Sequence, residues 1–254
     1  MSVTSPYSAS NWIRDFHPAD RTVPRMICFP HAGGTASYYF PVSRALSGKA
    51  EVLAVQYPGR QDRHTEPPLT DVHTLAACVF RELPQDGLDR TWLFGHSMGA
   101  AVAFEVARLM EGELGRSPAG IIVSGRRAPS RFRGETVHRQ GDEALIASVK
   151  ALDGTDPAVF ADAEIRRLVL PALRADYQAI ETYRPAGTPR VACPVHAFVG
   201  DADPLTTVEE ADDWRTHTDG TFTLRVFRGN HFYLTPRAGE VIAEISRLIL
   251  PTGT

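Results

Sequence analysis

Short apolar or β-branched runs recur along the chain and alternate with longer stretches in which apolar residues return every three or four positions. The runs are RMICF (25–29), VLAVQ (52–56), TWLFG (91–95), GIIVSG (120–125), VHAFVG (195–200) and TLRVF (223–227). A strand with one wet face would alternate apolar and polar residues; runs without that alternation suit a parallel sheet covered on both sides. Between most of them, YYFPVSRALS, VHTLAACVFREL, GAAVAFEVARLMEG and VEEADDWRTHT carry helical spacing, and AGEVIAEISRLIL closes the chain. Strand and helix in this alternation predict a mostly parallel, doubly wound α/β sheet.

Two intervals break the rhythm. Residues 1–24 are polar and hold Pro6, Pro18 and Pro24, and read as a loose N-terminal leader. About 70 residues separate GIIVSG from VHAFVG, far more than a crossover of one helix needs. They contain DEALIASVKAL (142–152) and AEIRRLVLPALRADYQAIETY (163–183), the second expected to break or kink near Pro171. Residues 130–186 are therefore read as an inserted helical lid, on a core made of 25–129 and 187–254. Its residues Leu168, Leu170, Leu173, Tyr177 and Ile180 either line a pocket beneath the lid or only pack it onto the core.

Composition narrows the function classes. A chain of 254 residues with 43% hydrophobic and 22% charged residues suits one globular domain. A formal net charge of −3 provides no basic footprint for nucleic acid. No run of about 18 apolar residues and no signal-peptide pattern appears, which points away from a membrane and to the cytoplasm. Cys28, Cys78 and Cys193 are odd in number and far apart, so they read as buried reduced thiols rather than a disulfide framework or a metal motif.

The chemistry begins at GHSMG (95–99), where Ser97 sits between a predicted strand and a predicted helix. The motif alone allows two readings: a helix-capping Ser, or a nucleophile lifted to the carboxyl edge of the sheet on a tight turn. A nucleophilic Ser needs a base and a group that orients the base. GDADPLT after VHAFVG and RGNHFYL after TLRVF place Asp203 and His231 in loops that follow late strands. The order Ser, Asp, His is that of the α/β-hydrolases. Of the other eight histidines, His96 precedes the Ser, His31 lies in the first loop, and His17, His64, His73, His138, His196 and His217 lack a matching strand-end context. Backbone donors for an oxyanion are expected from Met98, next to the Ser, and from the loop FPHAGGTASYY, where the second donor is assigned to Ala32. Arg126, Arg127, Arg131, Arg133 and Arg139 crowd the start of the lid, either as a solvated basic face or as a contact for an acidic partner.

FPHAGG (29–34), YPGRQDR (57–63), GHSMGA (95–100), LPALRADYQAIETY (170–183), GDADP (200–204) and GNHFYL (229–234) together resemble the type II thioesterases of polyketide synthases and nonribosomal peptide synthetases. The resemblance runs from about Arg25 to Leu250. It implies an α/β-hydrolase fold, an acyl-serine intermediate, and hydrolysis of acyl groups from the phosphopantetheine arm of acyl or peptidyl carrier proteins. By that resemblance Ser97, Asp203 and His231 match the triad, Ala32 and Met98 match the oxyanion donors, and no metal or other cofactor is required. Asn230 departs from the Gly often found before the catalytic His; Asn is expected to take the left-handed backbone there. An acyl-CoA thioesterase or a general cytosolic carboxylesterase would share the triad but not the carrier partner.

Overall fold

The computed structural model describes residues 10–152, 160–185 and 187–250. Seven strands form one sheet: β1 (Ile13–Asp15), β2 (Arg25–Phe29), β3 (Glu51–Val55), β4 (Thr91–His96), β5 (Gly120–Ser124), β6 (Val195–Gly200) and β7 (Phe222–Phe227). Their spatial order is β1-β3-β2-β4-β5-β6-β7, and every pairing is parallel except β1 with β3. All six strands expected from the apolar runs are present, with ends shifted by at most one residue.

Each central strand divides its side chains between two cores, because successive residues point to opposite faces. Ile27, Phe29, Leu53, Val55, Leu93, Ile121 and Val123 face one side, with α2 (Val72–Glu82) and α3 (Met98–Leu114). Met26, Cys28, Val52, Ala54, Phe94 and Ile122 face the other, with α7 (Ala238–Ile249) and the turn that leads into α1 (Phe40–Ala45). Both faces are covered, which is why these strands read as apolar throughout. Cys28 and Cys193 are buried free thiols, and Cys78 is half-buried.

The long interval after β5 folds as α4 (Asp142–Lys150) and α5 (Ala163–Thr182), with a short 3-10 turn at Val137–Arg139. Leu145, Ile146, Val149, Phe160, Leu170 and Leu173 form a small core of their own. Further along α5, Ala179, Ile180 and Tyr183 join the main core, and the Tyr183 hydroxyl donates to Glu105 Oε1 at 2.6 Å. The helix is not broken at Pro171, which lies inside one continuous element. Pro171 and Arg167 both face solvent, so water can satisfy the carbonyl that the missing N–H leaves free.

The stretch read as a loose leader is corrected over its second half. Ile13–Asp15 pairs antiparallel with β3, and Ile13 is buried in the main core with Trp12 packed beside it. The Arg63 guanidinium lies 4.2 Å from the Trp12 ring centroid. A three-residue strand with one core residue carries too little periodicity to register in sequence, yet it covers what would otherwise be the open edge of β3.

Between β2 and β4 the winding reverses: from β2 the chain runs outward to β3, then crosses back over β2 to β4. Loops at the carboxyl ends of these two neighbours diverge and leave a crevice, the usual place for a ligand in an open α/β sheet. They carry His31 to Gly34 and Ser97.

If β1 is part of the cooperative fold, Ile13→Ala is expected to cost about 2 kcal/mol, the low end for truncating a buried Ile. Urea unfolding would show this as a lower midpoint; an unchanged midpoint would mean that the segment detaches freely.

Candidate active site

Ser97 follows the last residue of β4 and precedes the first residue of α3. Its backbone sits at φ 54° and ψ −117°, a region L-residues avoid at a cost of order 1–3 kcal/mol. The Ser97 hydroxyl makes no capping hydrogen bond to α3, so the capping reading does not describe it. The bend is locked by the Ser97 N–H, which donates to Ser124 O at 2.8 Å.

Two glycines make room for this turn. A Cβ on Gly95 would lie 2.1 Å from the Gly99 carbonyl oxygen, and one on Gly99 would lie 2.0 Å from the Phe29 carbonyl oxygen. Any larger residue at either place would drive strand and helix apart. The Gly-x-Ser-x-Gly pattern is thus the steric condition for turning from β4 into α3 in so short a space.

Asp203 and His231 meet in the loops after β6 and β7. His231 Nδ1 lies 2.8 Å from Asp203 Oδ2, a geometry in which the ring N–H donates to the carboxylate. Asp203 Oδ1 accepts from the Leu205 N–H at 2.8 Å, which fixes the carboxylate plane. Asp201, the rival in GDADP, is a turn residue whose Oδ1 accepts from the Gly229 N–H at 2.8 Å. Ser97 and His231 line one cavity of about 210 Å³, together with Ala32, His31, Tyr177, Ile180 and Phe232. The turn before His231 is built differently from expectation. Gly229 takes the positive φ (139°), and Asn230 does not; the Asn230 Oδ1 accepts from the Phe232 N–H at 3.1 Å.

Two further histidines surround the base. His96 is fully buried, its ring centroid 4.9 Å from that of His231, and its Nδ1 is 3.0 Å from Ser124 Oγ. His31 packs edge-on against Tyr38 and Phe232, with both centroids at 4.8 Å. Burial, and then the nearby His231, hold His96 well below the ordinary imidazole value; the same causes push His31 down to about 3. Both are therefore neutral at physiological pH and add no charge beside His231.

The loop after β2 is held from α5. Asp176, fully buried on α5, accepts from Arg60 Nη1 at 2.6 Å and Nη2 at 2.9 Å, and from the Gly33 N–H at 2.7 Å. Arg60 also donates to the carbonyls of Gly34 and Pro58, each at 3.2 Å. The Gly34 N–H turns back to His31 O at 2.9 Å. The N–H groups of Gly33 and Gly34 are thus engaged, and Ala32 lines the cavity beside His31 of the same loop. Met98 is the first residue of α3, where N–H groups have no partner within the helix.

Sequence reasoning gave no role to Arg60 or Asp176. Each stands as a charged residue inside a quoted motif, YPGRQDR and LPALRADYQAIETY, but nothing along the chain pairs positions 116 residues apart. The arginine cluster is corrected too. Arg127 is buried against Glu135, whereas Arg131 and Arg133 are exposed and pair at the surface with Asp213 and Glu210, so the cluster is not one uniform face. Of the lid residues, Tyr177 and Ile180 line the cavity with Ser97. Leu168 and Leu173 line an adjoining cavity of about 330 Å³ that shares Ala32 and Val149 with the first. Leu170 packs inside the lid core.

A family model described as a thioesterase domain matches residues 24–249. The probable cadicidin biosynthesis thioesterase of Streptomyces griseus is 49% identical over 98% of this chain and 68% of its own length. Thioesterase PikA5 of Streptomyces venezuelae is 48% identical over 95% of this chain and 86% of its own. The solved structure of the type II thioesterase BorB from the borrelidin biosynthetic cluster superimposes with a TM-score of 0.87 at 50% identity, covering 94% of this chain and 97% of that one.

Removing one partner of a buried ion pair leaves the other charge uncompensated. Asp176→Ala is accordingly expected to lower the unfolding free energy by about 3–5 kcal/mol. With the Gly33 anchor gone, labelling of Ser97 by a fluorophosphonate probe should slow as well. Wild-type denaturation and labelling rate together would show that the pair neither stabilises the fold nor fixes the loop.

Proposed function

The chain belongs to the thioesterase family and hydrolyses acyl thioesters on an α/β-hydrolase fold; from that premise we propose that its substrates are acyl groups on the phosphopantetheine arm of carrier proteins. In this reading it clears stalled or aberrant units from a polyketide or nonribosomal peptide assembly line, in the cytoplasm where such carriers work. Support comes from the relatives named for cadicidin and borrelidin biosynthesis, and from the two-walled pocket in which the strained Ser97 shares one cavity with His231, itself anchored on Asp203.

The proposed mechanism follows from these positions. His231 Nε2 takes the proton of Ser97 Oγ as the oxygen attacks the thioester carbonyl carbon. Charge moves onto the carbonyl oxygen, where the N–H groups of Ala32 and Met98 are proposed to receive it; the positive end of α3 adds to this at Met98. Asp203 holds the ring N–H of His231 and stabilises the imidazolium. Collapse of the intermediate breaks the C–S bond, and the departing sulfur takes the proton from His231, leaving an acyl-serine. Water then attacks the ester carbon while His231 accepts its proton. Return of that proton to Ser97 Oγ releases a carboxylic acid. A thiolate leaves readily, so proton delivery to sulfur asks less of His231 than an amine leaving group would.

The helices between β5 and β6 act in this proposal as a lid. Tyr177 and Ile180 bound the acyl space from above, and Phe232 bounds it from the side of the base.

Ser97→Ala is expected to lower turnover at least roughly 10³-fold with the fold intact, since only residual catalysis survives loss of the nucleophile. Asp203→Asn should be severely impaired and Asp201→Asn only mildly, a contrast that steady-state rates on one acyl thioester would test. Near-wild-type turnover by rigorously purified Ser97→Ala would overturn the assignment.

The carrier claim has its own measurement, because contacts far from the reacting carbonyl can raise kcat/KM without touching the triad. With the same short acyl groups presented on carrier protein, on CoA and on a simple ester, kcat/KM is expected to be highest on the carrier. Equal values would leave the hydrolase and remove the carrier partner in favour of an acyl-CoA thioesterase or a general esterase.

A further inference from the structure

The loop after β5 brings a second kind of chemistry to the cavity. Gly125 ends the turn from β5, and the absence of a side chain lets two rings approach it: a Cβ there would lie 2.5 Å from His96 Cε1 and 3.3 Å from His231 Cε1. Arg126 comes next, leaving the sheet directly beside the base, and it lines the same cavity as Ser97 and His231. Its backbone carbonyl is fixed by the Trp214 indole N–H at 2.7 Å.

Among the described residues the Arg126 guanidinium pairs with no carboxylate and donates no hydrogen bond, whereas its neighbour Arg127 has Glu135, the Arg131 carbonyl at 2.9 Å and the Leu205 carbonyl at 3.3 Å. Burial, with Arg127 beside it and only partly offset by Glu135 and Tyr183, pushes Arg126 down to about 9, so it keeps its charge at neutral pH. Half-buried, the guanidinium presents its N–H donors to the cavity, where water can hold them in the free enzyme. An acyl chain that displaces this water without supplying an acceptor leaves the donors unsatisfied, and one that carries an oxygen replaces it.

The acceptor's charge follows from the rest of the wall. Glu135 and Glu181 also line the cavity, Glu135 bound to Arg127 and Glu181 to the N–H groups of Val137 and His138 at 2.9 and 3.0 Å. Arg127 lines the cavity too, and its pairing with Glu135 leaves little net charge there, so Glu181 is the further anion that a ligand carboxylate would face. A neutral oxygen avoids that repulsion. Val137, Val149 and Leu152 leave the remaining wall apolar, suited to the carbon chain.

We propose that Arg126 is a specificity-determining subsite that takes a neutral carbonyl or hydroxyl oxygen on the acyl chain close to the thioester, so that 3-oxo- and 3-hydroxyacyl groups are hydrolysed in preference to alkanoyl groups of the same length. The inference rests on the thioesterase reading of this cavity. An amide of the pantetheine arm is the other source of a neutral oxygen, and the length of the arm separates the two.

The experiment compares kcat/KM for butyryl, 3-oxobutyryl, 3-hydroxybutyryl and malonyl thioesters, each on pantetheine and on the shorter N-acetylcysteamine, in wild type, Arg126→Gln and Arg126→Lys. Thiol release measures the rate, and fluorophosphonate labelling of Ser97 counts active sites in every variant. The ratio of oxygenated to butyryl substrate should exceed one in wild type and fall roughly tenfold in Arg126→Gln on both arms, with partial recovery in Arg126→Lys, as loss of a hydrogen bond to a charged group implies. An unchanged ratio overturns the proposal. So does an equal loss for all acyl groups that disappears on the short arm, which assigns Arg126 to the arm, or a loss confined to malonyl, which assigns it to a carboxylate. Failure of the underlying thioesterase reading looks different: wild type would label at Ser97 yet release thiol from none of the substrates.

Discussion

Backbone meets backbone around Ser97, and most of the site is arranged by that contact. The start of α3 lies so close to β4 and to the end of β2 that neither Gly95 nor Gly99 has space for a methyl group. The chain can reverse from strand into helix there only by placing Ser97 at a positive φ, with its N–H tied to the end of β5. Parallel pairing of β2, β4 and β5 fixes the three carboxyl ends side by side, with Phe29 opposite Gly95 and Gly95 opposite Val123. The large buried aromatic and aliphatic surfaces on both faces hold that register, since a slip of one residue would turn every core side chain to the wrong face. The strain at one serine is thus sustained by the packing of the whole sheet.

Around this point the protein keeps its charges sparse and paired. His31 and His96 are neutral through burial, which leaves the imidazole on Asp203 as the basic ring of the pocket. Asp176 and Arg60 form a buried pair with every short contact satisfied, and they join the lid helix α5 to the loop that carries Ala32. A pair so placed does more for geometry than for net stability, because the desolvation of two ions consumes much of their attraction. The position of α5 and the placement of the Ala32 loop are thus joined through one carboxylate. Arg126 is the contrast: a guanidinium at that cavity which, among the described residues, has no carboxylate partner.

The sequence by itself determined the sheet, the order of its elements and the existence of a long helical insertion, because each of these is written locally. Short runs without polar alternation suit strands covered on both faces, and GHSMG at a strand-to-helix boundary, followed by Asp203 and His231 after later strands, carries its chemistry in order and spacing. Tertiary structure decided what depends on partners distant in the chain. β1 is three residues long and is a strand only because β3 offers an unpaired edge. Asn230 was expected to supply the left-handed turn, but Gly229 has the positive φ, and its N–H is bound to Asp201 in the loop after β6. The arginines after β5 looked alike in sequence, and the fold gave three of them different carboxylates, Glu135 nearby and Asp213 and Glu210 from farther along the chain. Arg60 and Asp176 were visible as motif residues without a purpose, since complementarity between two charges is a property of distance in space, and spacing along the chain does not encode it.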